Sequence, residues 1–146
     1  LSICNELGIK FYRGNESTWV YKPQAWSKEN YFKKGIRFLD SYFNLTGHHG
    51  FHIDQNKNII NIPASKFLRP YNSKLFFLNS LRIRRIKRSM SYCAKRNLNY
   101  HLWWHPHNFS FHTEKNFNDL ETILIHYQML HEKYNFQSST MSKSVI

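Results

Sequence analysis

Cysteine is scarce: Cys4 and Cys93 are the only two in 146 residues and share no CxxC spacing. That excludes a zinc knuckle and a disulfide framework and leaves reduced thiols as the plain reading. Acidic residues are few, nine Asp and Glu against 21 Lys and Arg. The surplus gives a formal charge of +12 and a pI near 9.9, which suits an acidic partner such as nucleic acid or an anionic membrane surface without choosing between them. No apolar run approaches the length of a membrane span. Nothing at the amino end reads as a signal peptide, but the chain begins with Leu1 rather than methionine, so the compartment stays open. What is abundant is rings: 17% of residues are aromatic, and a chain of this length holds one domain, or part of one, with a modest ring-built core.

The chain is organised around residues 99–109, Asn-Tyr-His-Leu-Trp-Trp-His-Pro-His-Asn-Phe. Tyr100 to Trp104 is an aromatic and apolar run between Asn99 and Pro106, which fits a short buried strand. His105, His107 and Asn108 then surround a proline that ends the ladder, so a polar cluster stands at a strand end. Upstream, Ile9 to Tyr12 reads as a strand followed by the polar turn Arg13 to Glu16. Ser27 is the expected N-cap of a helix to about Phe43, whose stripe of Phe32, Ile36, Leu39 and Phe43 faces the core. Residues 44–71 read as a long excursion with a short strand near Ile59 to Ile62, and loops of that length are usually functional.

A second helix, about Phe76 to Arg96, places Ile83, Ile86, Met90, Cys93 and Ala94 on one face. Arg82, Arg84, Arg85, Lys87, Arg88, Lys95 and Arg96 take the others. A third, about Phe117 to Tyr134 behind Asn116 or Asn118, carries Leu120, Ile123, Leu124, Tyr127 and Leu130 at helical spacing. A last strand is expected over Phe136 to Met141. Residues 1–141 make the domain and 142–146 a tail. Strands alternating with helices predict an α/β fold with parallel strands.

A histidine fixed at a strand end by a following proline has a set direction and an intrinsic pKa near neutrality, which makes His105 the candidate general acid or base. The plain alternative is a satisfied loop histidine. Strand alternation puts His101 on the face of Trp103 and His105. A zinc site made from His101 and His105 is disfavoured, because that spacing stands roughly 13 Å apart along a strand. His48, His49 and His52 lack a matched carboxylate or thiolate and read as a surface loop. Arg13 and Arg69 could anchor an acidic substrate by forked hydrogen bonds, and Trp19, Trp26 and Trp104 could stack on a sugar ring. The basic helix is the rival claim. It could neutralise the phosphates of a nucleic acid or of an anionic lipid, though no nucleic-acid motif accompanies it and basic side chains commonly cover a solvated helix face.

The run 100–109, the helix with Asn116, Leu120, Ile123 and Leu124, and Lys133 to Ser138 together resemble the carboxyl-terminal part of the polysaccharide deacetylase (NodB-like) family. Phe11 to Asn15, Leu39 to Tyr42, Ile62 to Tyr71 and Arg84 to Lys87 resemble one bacterial branch of it, so the likeness runs through nearly the whole chain. The resemblance implies the carboxyl-terminal portion of an irregular (β/α) barrel. It also implies a hydrolase that removes N- or O-acyl groups from a polysaccharide or glycan precursor with a divalent metal, usually zinc. By that resemblance His105 is the acid that protonates the leaving amine, with His101 in an alternative register, while Arg13, Arg69, Trp104 and Asn108 line the sugar site. The family's Asp-Asp pair and its metal-binding His-x-x-x-His motif have no counterpart here. The expected reading is therefore a portion without the metal ligands, inactive alone, that meets an amino-terminal half carrying them. A half barrel leaves an unpaired sheet edge and exposed apolar faces.

Overall fold

A computed structural model describes residues 2–16, 18–22 and 31–143. In chain order the elements are α1 (Ser2–Glu6), β1 (Phe11–Tyr12), α2 (Tyr31–Asp40), β2 (Ile60–Asn61), β3 (Lys66–Phe67), α3 (Asn79–Ala94), β4 (Leu102–Trp103) and α4 (Thr113–Tyr134). Short 3₁₀ helices, Ser73–Leu78 and Pro106–Phe109, precede α3 and α4 respectively.

All four strands are short and pair in parallel, β1 with β2 and β3 with β4. One stretch of chain serves both pairs. Ile60, Ile62 and Ala64 donate their N–H groups to the carbonyls of Lys10, Tyr12 and Gly14 at 2.8, 2.9 and 2.9 Å. Two residues on, Lys66 and Leu68 donate to His101 and Trp103 at 3.2 and 2.8 Å. Pro63, with no N–H to give, falls between two donors, a position where a ladder tolerates it. Ser65 holds the switch point: its N–H reaches the His101 carbonyl at 2.9 Å, and its Oγ accepts the His101 N–H at 3.0 Å. Where β1 ends, Gly14 leaves room for the Asn61 amide, whose Oδ1 would lie 2.4 Å from a Cβ there.

The core lies between α3, α4 and one face of β3 and β4. Leu68, Ile83, Ile86, Met90, Ala94, Ile123 and Leu130 form it, with Leu102, Leu120 and Tyr127 against its edge. Burying side chains such as Ile86 and Ile123 contributes roughly 1.5–3 kcal/mol each. The α3 and α4 members of this core are residues whose helical spacing marks them in the sequence. α4 begins at Thr113, four residues ahead of the expected start at Phe117, because Asn116 sits inside the first turn rather than capping it. Its buried amide accepts the Tyr71 N–H at 2.7 Å and donates to the Phe111 carbonyl at 2.7 Å. The left-handed residues His112 and Asn135 bracket the helix.

Several expectations are corrected. Residues 136–141 form no strand, and Phe136 instead rests on the core edge against Tyr127. β3, a strand the sequence reading missed, lies in the excursion. The expected N-cap Ser27 lies outside the described residues. The α2 stripe does not face the core: Phe32 is 67% and Leu39 46% exposed, and the buried residue of that helix is Asp40. The basic face of α3 is also divided. Arg82 pairs with Asp119, Arg85 stands 3.6 Å from Asp40, and both arginines are buried.

Candidate functional site

Leu102 turns towards the helices and the core, so alternation sends Trp103 and His105 to the other face. There they meet the residue that follows β1. The Arg13 guanidinium carbon lies 3.9 Å from the centre of a Trp103 ring, a cation–π contact. Trp103 meets the His105 ring edge-on at 5.1 Å, and Phe67 touches both, at 4.5 and 5.9 Å. His107 stacks on His105 at 5.1 Å with the planes 13° apart. Arg13, Trp103 and His105 thus form one chain of contacts at the carboxyl ends of β1 and β4.

The turn beyond β4 is fixed by Asn108. Its Oδ1 accepts the His105 N–H at 3.1 Å, and its own N–H donates to the His105 carbonyl at 2.9 Å. Pro106 contributes the constrained φ that starts the 3₁₀ turn. His105 is held at its backbone while its ring stands exposed to solvent. His101, half-buried one turn of alternation earlier, is pushed below its ordinary pKa by burial.

Behind this face lies a buried ionic cluster. The Lys66 ammonium bonds to Asp40 Oδ2 and approaches the Tyr21 hydroxyl at 3.5 Å, and that hydroxyl donates to Asp40 Oδ2 at 2.9 Å. The backbone N–H groups of Leu45 and Thr46 donate to Asp40 Oδ1 at 3.0 and 2.9 Å. Burial alone would raise the Asp40 carboxyl. The bond and charge of Lys66, the Thr46 N–H and the charge of Arg85 outweigh it and hold Asp40 below the usual carboxylate range. Burial raises the Glu16 carboxyl, against the opposing pull of Lys66 and Arg13. Glu16 therefore sits between the ionic cluster and the exposed arginine, in the turn that follows β1.

Of the residues singled out in the sequence, Arg13 and His105 come together, with Trp103 as their link. Asn108 sets the turn. Arg69 donates from Nε to Ser41 Oγ at 2.7 Å. Trp104 points the other way: it lines an apolar cavity of about 360 Å³ with Leu120, Leu124 and Tyr127, and touches Phe109 at 6.1 Å. Trp103, not Trp104, is the ring beside His105, as strand alternation predicts. Glu16 and Lys66 carried no signal, because their partners lie far away in sequence.

In the histidine loop His48 and His49 are packed against neighbours while His52 is exposed. His48 Nδ1 is 3.2 Å from Ser89 Oγ, and the His48 ring stacks on Tyr92 at 4.3 Å. His49 Nε2 lies 2.8 Å from Thr46 Oγ1. Gly50 follows because a Cβ there would stand 2.6 Å from Cys93 Sγ.

Among the described residues no three of His, Cys, Asp or Glu converge to hold a metal ion. Comparisons with protein-family models, curated proteins and solved structures found no match.

Proposed function

We propose that this chain forms the carboxyl-terminal wall of a carbohydrate deacylase site, with His105 as the proton donor. The observation that carries the reading is the contact chain Arg13–Trp103–His105 at parallel strand ends, on the face that α3 and α4 leave uncovered. In α/β folds that end of the sheet is where ligands bind. The motif at residues 100–109, which resembles the polysaccharide deacetylase family, supplies the substrate class. Hydrolysis of an N-acyl sugar needs a proton delivered to the leaving amine, and an imidazole on a turn fixed by Pro106 and Asn108 can give one without reorganising. Arg13, steadied on the Trp103 ring, offers a planar fork of donors to a sugar hydroxyl or acyl oxygen. Activation of the attacking water belongs to groups outside these residues, in a partner half of the same domain.

The test joins this chain to a metal-binding amino-terminal half and follows release of free amine from an N-acetylated chito-oligosaccharide. His105→Ala is expected to slow turnover by about 10²- to 10⁴-fold with bound metal unchanged, and unaltered turnover removes the role. In the chain alone, Arg13→Ala should abolish the change in tryptophan fluorescence that the oligosaccharide induces.

A further inference from the structure

On the far side of the core a groove of about 1000 Å³ opens between α3 and α4. Its α3 wall presents Arg84, Lys87, Arg88 and Lys95, its α4 wall adds Lys115, and Phe76 stands at one end. Arg82 and Arg85 from the same helix turn inward to Asp119 and Asp40. These five groove cations pair with no carboxylate among the described residues. Asp119, the acidic group on the groove wall, is already bonded to Arg82 and Asn79. From Arg84 to Lys95 the row runs about 16 Å along the helix, so it spans several anionic groups rather than one.

We infer that this groove docks the chain on an anionic lipid surface, with headgroup phosphates on Arg84, Lys87, Arg88 and Lys95 and with Phe76 and Phe77 entering the headgroup layer. Charge complementarity selects an anionic partner, and the rings select lipid. Phe76 and Phe77 are 66% and 62% exposed beside the cations, the pairing of apolar ring and basic side chain that holds proteins at a membrane interface. A nucleic-acid strand would instead need free aromatic faces interleaved along the row of cations for its bases, and Phe76 stands only at the end of that row. Tyr92, the ring within the groove, is stacked by His48 at 4.3 Å and covered by Arg96 at 4.0 Å. Tyr71 is met by His112 at 5.3 Å. The groove and the Arg13–Trp103–His105 face are built from different residues, so the two proposals fail independently.

The experiment is co-sedimentation of the full chain with vesicles of phosphatidylglycerol and phosphatidylcholine, with pure phosphatidylcholine vesicles for comparison. Binding is expected to the mixed vesicles alone, to fall steeply with salt, and to weaken roughly 100-fold in the triple variant Arg84→Gln, Lys87→Gln, Arg88→Gln. Phe76→Ser with Phe77→Ser should weaken it about tenfold while leaving the salt slope intact. Both variants change groove or surface side chains without buried partners, so thermal unfolding should match the parent, and the phenylalanine pair carries the test should the triple variant melt early. Equal binding to neutral vesicles overturns the inference. So does tight binding of a single-stranded oligonucleotide, indifferent to Phe76 and Phe77, by a chain that ignores the vesicles.

Discussion

Asp40 shows how much one carboxylate can hold. Fully buried, it accepts from Lys66, Tyr21 and two backbone N–H groups and faces Arg85, tying the end of α2 to β3, α3 and the loop after it. Removing the charge leaves Lys66 buried without a counter-ion, so Asp40→Asn should destabilise the fold by about 3–5 kcal/mol, read from urea denaturation. Replacing Lys66 by methionine in the same chain should recover much of that loss, since the cost is the stranded ammonium rather than the missing attraction. Histidines set the response to mild acid. Burial pushes His49 from 6.5 down to about 4, and also lowers His48, His101 and His126. Below pH 6.5 the unfolded chain takes protons that the fold refuses, so stability falls as pH drops from 6.5 towards 4. Asp40 adds a further loss below the ordinary carboxylate value, where its folded form still resists protonation. The melting temperature should track this decline, and His49→Gln should flatten the part between pH 6.5 and 4.

At the scale of elements, periodicity identified which residues share a face but not what the face meets. α3, α4 and α2 all carry apolar stripes at helical spacing. For α3 and α4 the stripe is the core, since Ile86 and Ile123 pack between them. For α2 the same spacing leaves Leu39 and Phe43 each 46% exposed. A contiguous apolar helix face in water favours association. Leu39→Ser with Phe43→Ser should therefore reduce self-association, seen as loss of concentration dependence in light scattering, with thermal unfolding of the dilute chain shifted little. Charge was read with the same blind spot. Seven cations on the basic helix look alike in sequence, yet Arg82 and Arg85 point inward to Asp119 and Asp40, 37 and 45 positions away along the chain. At the site, His105 was legible because a proline and an aromatic strand mark it locally. Trp103 was within reach of the alternation argument but hidden in a run where every residue is apolar or aromatic.

For the molecule as a whole, parallel α/β order was legible and strand extent was not. Strands of two residues are too short to display a period, and β3 hides beside prolines in what reads as a loop. Their hydrogen bonds join Phe11 to the register of Ile60 and Lys66 to that of Leu102, 49 and 36 positions apart, which no local pattern records. The double use of residues 60–68 has an effect on the order of assembly. The first strand of the chain has no partner until the middle segment has emerged, and that segment stays open along its second half until residues 101–103 follow. The first ladder can therefore close once Ala64 has left the ribosome but the second only after Trp103, and nascent chains stalled ahead of β4 carry an open strand edge ready to pair with a neighbour.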